Sequence, residues 1–123
     1  QGLITNFKHP DRTGIAEEAQ AIIKLKKAPE SDIRKQLLCY QSEGFDTEVN
    51  PMQSLSNNGF ILRRNCEELH ELWWTEVEKH TRRDQMSLDY CAWKLGIKIN
   101  RFEGTIRNNP FVHYNHYNRP VND

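Results

Sequence analysis

The strongest candidate for chemistry is the charged corner at residues 81–85, which separates two strongly apolar helical stretches. Asp84 and Gln85 are predicted to lie in the first turn of a helix, where free backbone amides and the helix dipole favour an anion. A purely structural interpretation is also open, in which Asp84 only caps the helix while Arg82 and Arg83 are solvated. The corner is the first candidate site because a solvated turn does not need this combination of groups.

A second candidate lies near the C-terminus, where His113 and His116 are three residues apart among Asn and Tyr residues. Imidazole binds divalent cations, so this pair could present ligands to a metal ion. Metal sites usually need three or more protein ligands, and the chain contains neither HExxH nor Asp-x-Asp. The alternative is an exposed or stacked aromatic tail without a metal.

A third candidate is the segment at residues 8–12, in which a lysine, a histidine and an arginine surround Pro10. Pro10 bars His9 from helical geometry and so fixes a turn before a predicted helix. The N-terminus of a helix with an adjacent arginine such as Arg12 suits a phosphate or diphosphate. A turn followed by a helix cap explains the same residues equally well.

Several other functional classes find little support in the sequence. There is no GxSxG nucleophile motif, no glycine-rich phosphate loop and no cysteine in a typical catalytic context. The chain has 17 basic and 17 acidic residues, so its charge does not favour a nucleic-acid or membrane-surface partner. No apolar run approaches the ~18 residues of a membrane span, and no signal peptide is visible.

The cysteines and the N-terminus bear on compartment and domain boundaries. Cys39, Cys66 and Cys91 are odd in number, form no CxxC pair and fall on apolar helical stripes. This pattern predicts buried free thiols in a reducing compartment, and hence a cytoplasmic protein. Residues 1–2 are expected to be the remnant of a cleavable tag. Residues 3–123 are expected to be a single domain or the C-terminal half of one.

Helical and alternating patterns predict the elements that position these candidates. Asn65 and Thr81 are the predicted caps of the two helices that flank the corner, and Gly96 is the predicted C-terminal stop of the second. A tight turn at 56–59 is expected, with positive φ that brings main chain close to a bound group. The first predicted helix opens at Asp11 or Thr13 and runs to 27. The other predicted helices are 31–44, 65–80 and 81–96, and the predicted strands are 3–7, 60–62, 97–102 and 111–114.

Several motifs resemble the C-terminal half of a glycosyltransferase of the A fold. They lie at 57–63 (NNGFILR), 73–77 (WWTEV), 83–88 (RDQMSL), 8–12 (KHPDR) and 17–19 (EEA). The resemblance spans residues 7–119. It is to a family long described as a domain of unknown function, which includes plant proteins linked to mucilage polysaccharide synthesis. Some of its members are also named alkaline ceramidases, but the chain lacks the zinc triad that an amide hydrolase of that kind would need.

The resemblance implies an α/β fold, a partial GT-A-like (nucleotide-diphospho-sugar transferase) domain of about four helices with several short strands. It implies that Asp84 and Gln85 form the catalytic pair that lines the reacting sugar. It also implies His116 as the metal ligand, with His113 as the alternative. The substrate-binding residues that it implies are Asn57, Gly59, Arg83, Arg12 and Arg119.

The complete enzyme is expected to transfer a sugar from a nucleotide-sugar to a glycan or small acceptor, with a divalent manganese or magnesium ion as cofactor. Such transferases carry an Asp-x-Asp motif in a nucleotide-binding first half, which this chain lacks. We therefore expect the isolated chain to be inactive, to bind no metal tightly by itself, and to pair with an N-terminal half or a second copy. The alternative is a non-catalytic module that binds glycans or assembles on the same scaffold.

Overall fold

The computed structural model describes residues 3–50 and 54–110. In this part of the chain, four α-helices and one short 3-10 helix are combined with a three-stranded mixed sheet. The predicted α/β class with about four helices is therefore confirmed. The elements are β1 (Leu3–Lys8), α1 (Ile15–Lys24), α2 (Glu30–Ser42), β2 (Ser56–Arg64), α3 (Glu67–Lys79), the 3-10 helix (Asp84–Met86), α4 (Leu88–Leu95) and β3 (Ile99–Thr105).

The sheet has β1 at its centre, antiparallel to β2 on one side and parallel to β3 on the other. Asn6 and Phe7, which are neighbours in β1, are both fully buried. Because successive residues of a strand point to opposite faces, this burial shows that β1 is covered on both sides. The register with β2 shifts between Asn6 and Phe7, so β2 contains a bulge at this point.

The predicted tight turn at 56–59 was wrong, since these residues belong to β2. Ser56 pairs with Lys8 and Asn57 pairs with Phe7, so the strand begins four residues earlier than the apolar run indicates. The φ angle of Gly59 is not in the left-handed region. Ser56 and Asn57 pair with the central strand, whereas residues 58–60 fall at the register shift, where the amide of Gly59 donates to Oδ1 of Asn57 at 2.8 Å.

Helix α1 begins later than predicted because the chain around Gly14 is held extended by a neighbouring segment. Ala16 donates its amide to the carbonyl of Thr47 at 2.8 Å, and Asn50 donates its amide to the carbonyl of Thr13 at 2.8 Å. A Cβ atom at position 14 would lie 2.4 Å from the carbonyl oxygen of Glu48. Only glycine allows this approach, so the helix starts at Ile15, one residue further on.

The predicted caps of α3 and α4 were also wrong. Asn65 does not cap α3; its φ of 56° places it in the left-handed region, where Asn is tolerated. The hydroxyl of Thr81 is buried and donates to Oε1 of Gln36 at 2.9 Å, so it is not available to cap a helix. A 3-10 turn therefore precedes α4. The stop at Gly96 is confirmed, with a φ of 69°.

The core contains an apolar cluster and, between the helices, a chain of buried polar groups. The ring of Tyr40 stacks on that of Tyr90 with a centroid distance of 3.7 Å. The hydroxyl of Tyr40 receives a hydrogen bond from Nε2 of Gln36 and donates one to Oε1 of Glu76, each at 3.0 Å. The hydroxyl of Thr81 donates to Gln36, so a chain of hydrogen bonds runs from Thr81 through Gln36 and Tyr40 to the carboxylate of Glu76.

All three cysteines are free thiols, and Cys66 and Cys91 are buried while Cys39 is half-buried. Burial raises the pKa of the Cys91 thiol, so this side chain acts as a small apolar group. None of the helices in the described part of the chain is both long and apolar enough to cross a membrane.

Candidate functional site

The 3-10 helix divides the predicted catalytic pair between two environments. Met86 is fully buried and anchors the turn, while Asp84 is exposed at its start. Gln85 is half-buried and donates from Nε2 to the carbonyl oxygen of Ser56 at 3.2 Å. Gln85 thus joins the corner to the first residue of β2, while the carboxylate of Asp84 is left accessible.

The carboxylate of Asp84 is influenced by Asn58 on β2 and by the adjacent Arg83. Surrounding protein raises the pKa of Asp84, and the side chain of Asn58 and the charge of Arg83 oppose that shift. The Oδ1 atom of Asn58 accepts from Nδ2 of Asn6 at 3.4 Å, which orients the amide. The buried Nδ2 atom of Asn58 makes no hydrogen bond of ordinary geometry within the described residues.

Asp84 forms one wall of an open cavity of about 420 Å³, which we call the Trp–Arg groove. Four of its lining residues lie at i, i+3, i+4 and i+7 of α3 and so form one helical face. Leu69 and Glu76 flank this face on the same helix and are buried. The groove is lined by Arg63, His70, Trp73, Trp74, Val77, Arg82 and Asp84.

The groove carries more positive than negative charge. Arg63 and Arg82 are exposed, and neither makes an ion pair within residues 3–50 and 54–110. The single carboxylate in the lining is that of Asp84. The side chain of Trp74 is 63% exposed, which leaves a large aromatic surface open to a ligand. The groove thus combines two guanidinium groups, two indoles and one carboxylate.

Asn57 and Gly59 lie close to this corner, because β2 contacts the 3-10 helix. The Oδ1 atom of Asn57 accepts from the amide of Gly59 at 2.8 Å, so this side chain stabilises the bulged part of the strand. Arg83 is half-buried directly before Asp84. Asn57 and Gly59 thus lie on the strand that contacts the 3-10 helix, and Arg83, Asp84 and Gln85 lie at that helix, but of these five predicted site residues only Asp84 lines the Trp–Arg groove.

Arg12 has partners of its own within the chain. Its Nη1 atom lies 2.9 Å from Oε1 of the buried Glu18 and 2.9 Å from Nε2 of His9. The amides of Asp11 and Arg12 donate to Nδ1 of His9 at 3.1 and 3.2 Å, so the imidazole organises this turn. The role of Arg12 towards a diphosphate stays a prediction. His113, His116 and Arg119 lie outside the described residues.

Sequence reasoning missed a buried polar network next to the corner. Asp89 is only 3% exposed and accepts hydrogen bonds from the amide and the hydroxyl of Ser56. Arg101 donates to the hydroxyl of Ser56 at 2.8 Å, to the carbonyl of Ser54 at 2.8 Å and to Oδ1 of Asn6. A signal was present, because Asp89 is a charged residue between Leu88 and the run Tyr90-Cys91-Ala92.

A second missed feature is the outer face of α3, which forms a wall of the Trp–Arg groove. His70 and Trp74 stand beside Trp73 and Val77 on this face, and Trp73 also packs against the apolar core. The signal was again a spacing, since α3 carries two sets of bulky residues at helical intervals.

Among residues 3–50 and 54–110, no three His, Cys, Asp or Glu side chains are arranged to hold a metal ion. The only predicted metal ligands, His113 and His116, belong to the part of the chain that is not described.

Comparison with known families now defines the class of protein. Residues 4–116 match the family described as "TOD1/MUCI70, glycosyltransferase-like domain". The chain is thus a glycosyltransferase-like domain, and within that class it belongs to the TOD1/MUCI70 family. This confirms the resemblance that the Arg-Asp-Gln and Trp-Trp-x-Glu-Val motifs indicated. No match was found among curated proteins or among solved structures.

Proposed function

We propose that this domain contributes the acceptor side of a glycosyltransferase that transfers a sugar from a nucleotide-sugar to a glycan or small acceptor. The observation that carries the proposal is the exposed carboxylate of Asp84 on the wall of an aromatic groove, in a chain of the glycosyltransferase-like family. An open cleft with aromatic walls and a few polar groups is the usual form of a ligand site.

Asp84 is the proposed catalytic residue. Glycosyl transfer develops positive charge on the reacting sugar in an oxocarbenium-like transition state. A carboxylate held in a partly desolvated position stabilises such a charge more strongly than one in water. The raised pKa of Asp84 reflects this partial desolvation. Gln85 is the proposed positioning residue, because its bond to the carbonyl of Ser56 holds the corner against β2.

The divalent manganese or magnesium ion and the donor diphosphate are proposed as components of the complete enzyme. His116 and Arg119 are the residues proposed for them, together with Arg12. Such an ion would neutralise charge on the departing diphosphate. We also propose that the isolated chain binds the ion weakly and has no transferase activity.

The test is the Asp84→Asn variant of the complete protein, assayed for transfer with a panel of nucleotide-sugars. We expect kcat to fall by at least about 100-fold, because the variant keeps the size of the side chain and loses its charge. The free energy of unfolding should change by less than about 0.5 kcal/mol, since Asp84 is exposed. Asp32→Asn, an exposed position in the first turn of α2, is the matched control and should keep full activity. Retained activity in Asp84→Asn would remove Asp84 from the site.

A second candidate function is a non-catalytic glycan-binding module, which the exposed Trp74 favours. The two candidates differ in their need for a metal ion, because a binding module requires none. Titration of manganese into the complete protein with glycan present separates them. Binding of glycan without any transfer at saturating metal would favour the module.

A further inference from the structure

Asn58 lies in the part of β2 that bulges away from the central strand. The register between β1 and β2 shifts beside Asn6, and residues 58–60 have no partner in β1. The amide of Gly59 donates to Oδ1 of Asn57 at 2.8 Å, which fixes the backbone of the bulge. Bulges turn a side chain away from the direction that a regular strand gives it, and they are common next to active sites. The bulge can therefore direct a side chain at the neighbouring corner.

The two polar atoms of the Asn58 side chain have different surroundings. Its Oδ1 atom accepts from Nδ2 of Asn6 at 3.4 Å, and Asn6 is held in turn by a hydrogen bond from Arg101 to its own Oδ1. Because an amide group is planar, fixing its oxygen also fixes the direction of its N–H bonds. The Nδ2 atom of Asn58 is buried and has no partner of ordinary hydrogen-bond geometry in the described part of the chain.

Asp84 is the carboxylate on which Asn58 acts. Burial raises the pKa of Asp84, and the side chain of Asn58 is the strongest of the groups that oppose this shift. A buried N–H group without an acceptor costs free energy, and a carboxylate oxygen is the acceptor that satisfies it most strongly. The hydrogen bond from Gln85 to the carbonyl of Ser56, at 3.2 Å, holds the corner beside the strand that carries Asn58.

We propose that Asn58 is a positioning residue for the catalytic carboxylate, and that its amide N–H directs one oxygen of Asp84 and favours the ionised form. Gln85 holds the backbone of the corner, whereas Asn58 acts on the carboxylate itself. The role of Asn58 in sugar transfer rests on the proposed function. The contact with Asp84 does not, and it is measured separately.

The experiment is a carbon-13 NMR titration of the Asp84 carboxyl group in the full chain, with Asp84→Asn used to assign the signal. Asn58→Leu removes the donor, so we expect the pKa of Asp84 to rise by about 1 pH unit, roughly the contribution of one charge-assisted hydrogen bond. Loss of structure at the corner would instead lower the pKa towards the ordinary aspartate value, because burial raises it in the folded chain. The direction of the change thus distinguishes a lost contact from a lost fold.

Asn58→Asp is the second variant, because it keeps the shape of the side chain and the oxygen that accepts from Asn6. It places a second carboxylate where the N–H group was, and two adjacent carboxylates cannot both ionise easily. We expect a larger rise in the pKa of Asp84 than in Asn58→Leu. Asn100→Leu is the matched control, since Asn100 is an exposed asparagine of β3 that bonds to the carbonyl of Ile4, and it should leave the pKa of Asp84 unchanged.

The other charged groups near Asp84 are the same in the wild type and in the variants. The helices α1 and α4 also contact the 3-10 helix, and their buried carboxylates are those of Glu18 and Asp89. A difference between variant and wild type therefore reports the side chain at position 58. The remaining charged or titratable groups at the corner and in the groove are Arg63, His70, Arg82 and Arg83.

Two results of the titration would overturn the proposal. One is an unchanged pKa of Asp84 in both variants at position 58. The other is a pKa that does not rise in Asn58→Asp, whatever Asn58→Leu shows, because a second carboxylate in contact with Asp84 must raise it. A rise in Asn58→Asp supports the contact even where Asn58→Leu does not fold.

Transfer by the complete protein tests the role in catalysis. Asp84 acts in its ionised form, so the acidic limb of the pH profile of kcat should move to higher pH in Asn58→Leu by the same amount as in the titration. At high pH we expect kcat to stay about 10-fold lower, with KM little changed, because the carboxylate is no longer directed. A change in the titration with an unchanged pH profile, or with no transfer by the wild type, would keep the contact and contradict the proposed function. A moved pH profile with an unchanged titration would contradict the contact.

Discussion

Charged residues are hydrogen-bonded inside the fold in the buried polar networks, whereas in the Trp–Arg groove they line an open cavity. Asp89, Glu76 and Arg101 are held by hydrogen bonds inside the fold, with Ser56 and Tyr40 as their partners. Arg63, Arg82 and Asp84 line an open cavity. Burying a charge is tolerated only when hydrogen bonds compensate for the lost water, so the inner groups serve stability. The groove residues are exposed, although Asp84 is partly desolvated, and they can exchange their remaining water for a ligand.

Polar residues within one short segment differ in their exposure, and therefore in their role. Asp84 and Asp89 are five residues apart, yet one is exposed in the groove and the other is only 3% exposed. The same holds within the motif at 73–77, in which Trp73, Trp74 and Val77 line the groove and Glu76 faces the core. A family motif can therefore contain residues kept for stability beside residues that contact a ligand.

The largest effect on stability is expected from Asp89→Ala. Its loss leaves the amide and the hydroxyl proton of Ser56 without their acceptor, although Arg101 still donates to that hydroxyl, and it removes a carboxylate that interacts with the charge of Arg101. We expect the free energy of unfolding to fall by about 3–5 kcal/mol, measured by urea denaturation. Asp89→Asn keeps one acceptor oxygen and should cost less, and Asp32→Ala is the exposed control. A loss below about 1 kcal/mol for Asp89→Ala would contradict the stabilising role of the buried carboxylate, because removal of an exposed carboxylate changes the free energy of unfolding by a similar amount.

A smaller effect is expected from Tyr40→Phe, which removes one hydroxyl from the chain of buried hydrogen bonds. Nε2 of Gln36 loses its acceptor and Glu76 loses a donor, while the stacked ring remains. The expected cost is about 1–3 kcal/mol, the usual penalty for leaving buried polar groups unsatisfied. Tyr90→Phe is a useful reference, because the hydroxyl of Tyr90 bonds to the more exposed Glu43 and its loss should cost less.

The pH dependence of stability is a further test of the buried groups, here of His80 beside Glu76. Burial lowers the pKa of His80, and the nearby Glu76 only partly opposes this shift. The unfolded chain then binds a proton at a higher pH than the folded chain. Stability is therefore fully present above the ordinary histidine pKa of about 6.5 and is lost as pH falls through the lowered pKa.

Denaturation curves between neutral and mildly acidic pH measure this loss. His80→Gln should flatten the slope relative to the wild-type chain. Equal slopes for wild type and His80→Gln would show that the buried histidine does not contribute to the acid sensitivity.

The smallest effect on stability is expected from Trp74→Ala, despite the size of the side chain removed. With 63% of Trp74 exposed, the free energy of unfolding should change by less than about 0.5 kcal/mol. Leu69→Ala on the buried side of the same helix is the contrast and should cost about 2–5 kcal/mol. A large loss in Trp74→Ala would mean that the groove wall is part of the core.

The sequence by itself determined the fold class, the family and the approximate position of most helices and strands. Periodic apolar residues define helix faces whatever the partner is, and Gly96 ends α4 because a left-handed residue there needs no Cβ. The Arg-Asp-Gln and Trp-Trp-x-Glu-Val motifs identified the family from short segments, and they also drew attention to Asp84.

Only the tertiary structure decided which polar residues are buried and which partners they form hydrogen bonds with. The sequence predicts Thr81 as a helix cap, but the partner of its hydroxyl is Gln36, forty-five positions away in the chain. The sequence predicts Ser56 in a turn, but pairing with β1 and bonds to Asp89 and Arg101 hold it inside the fold. Hydrogen bonds between residues distant in sequence outweigh local propensity, because a buried polar group must find a partner wherever the fold supplies one.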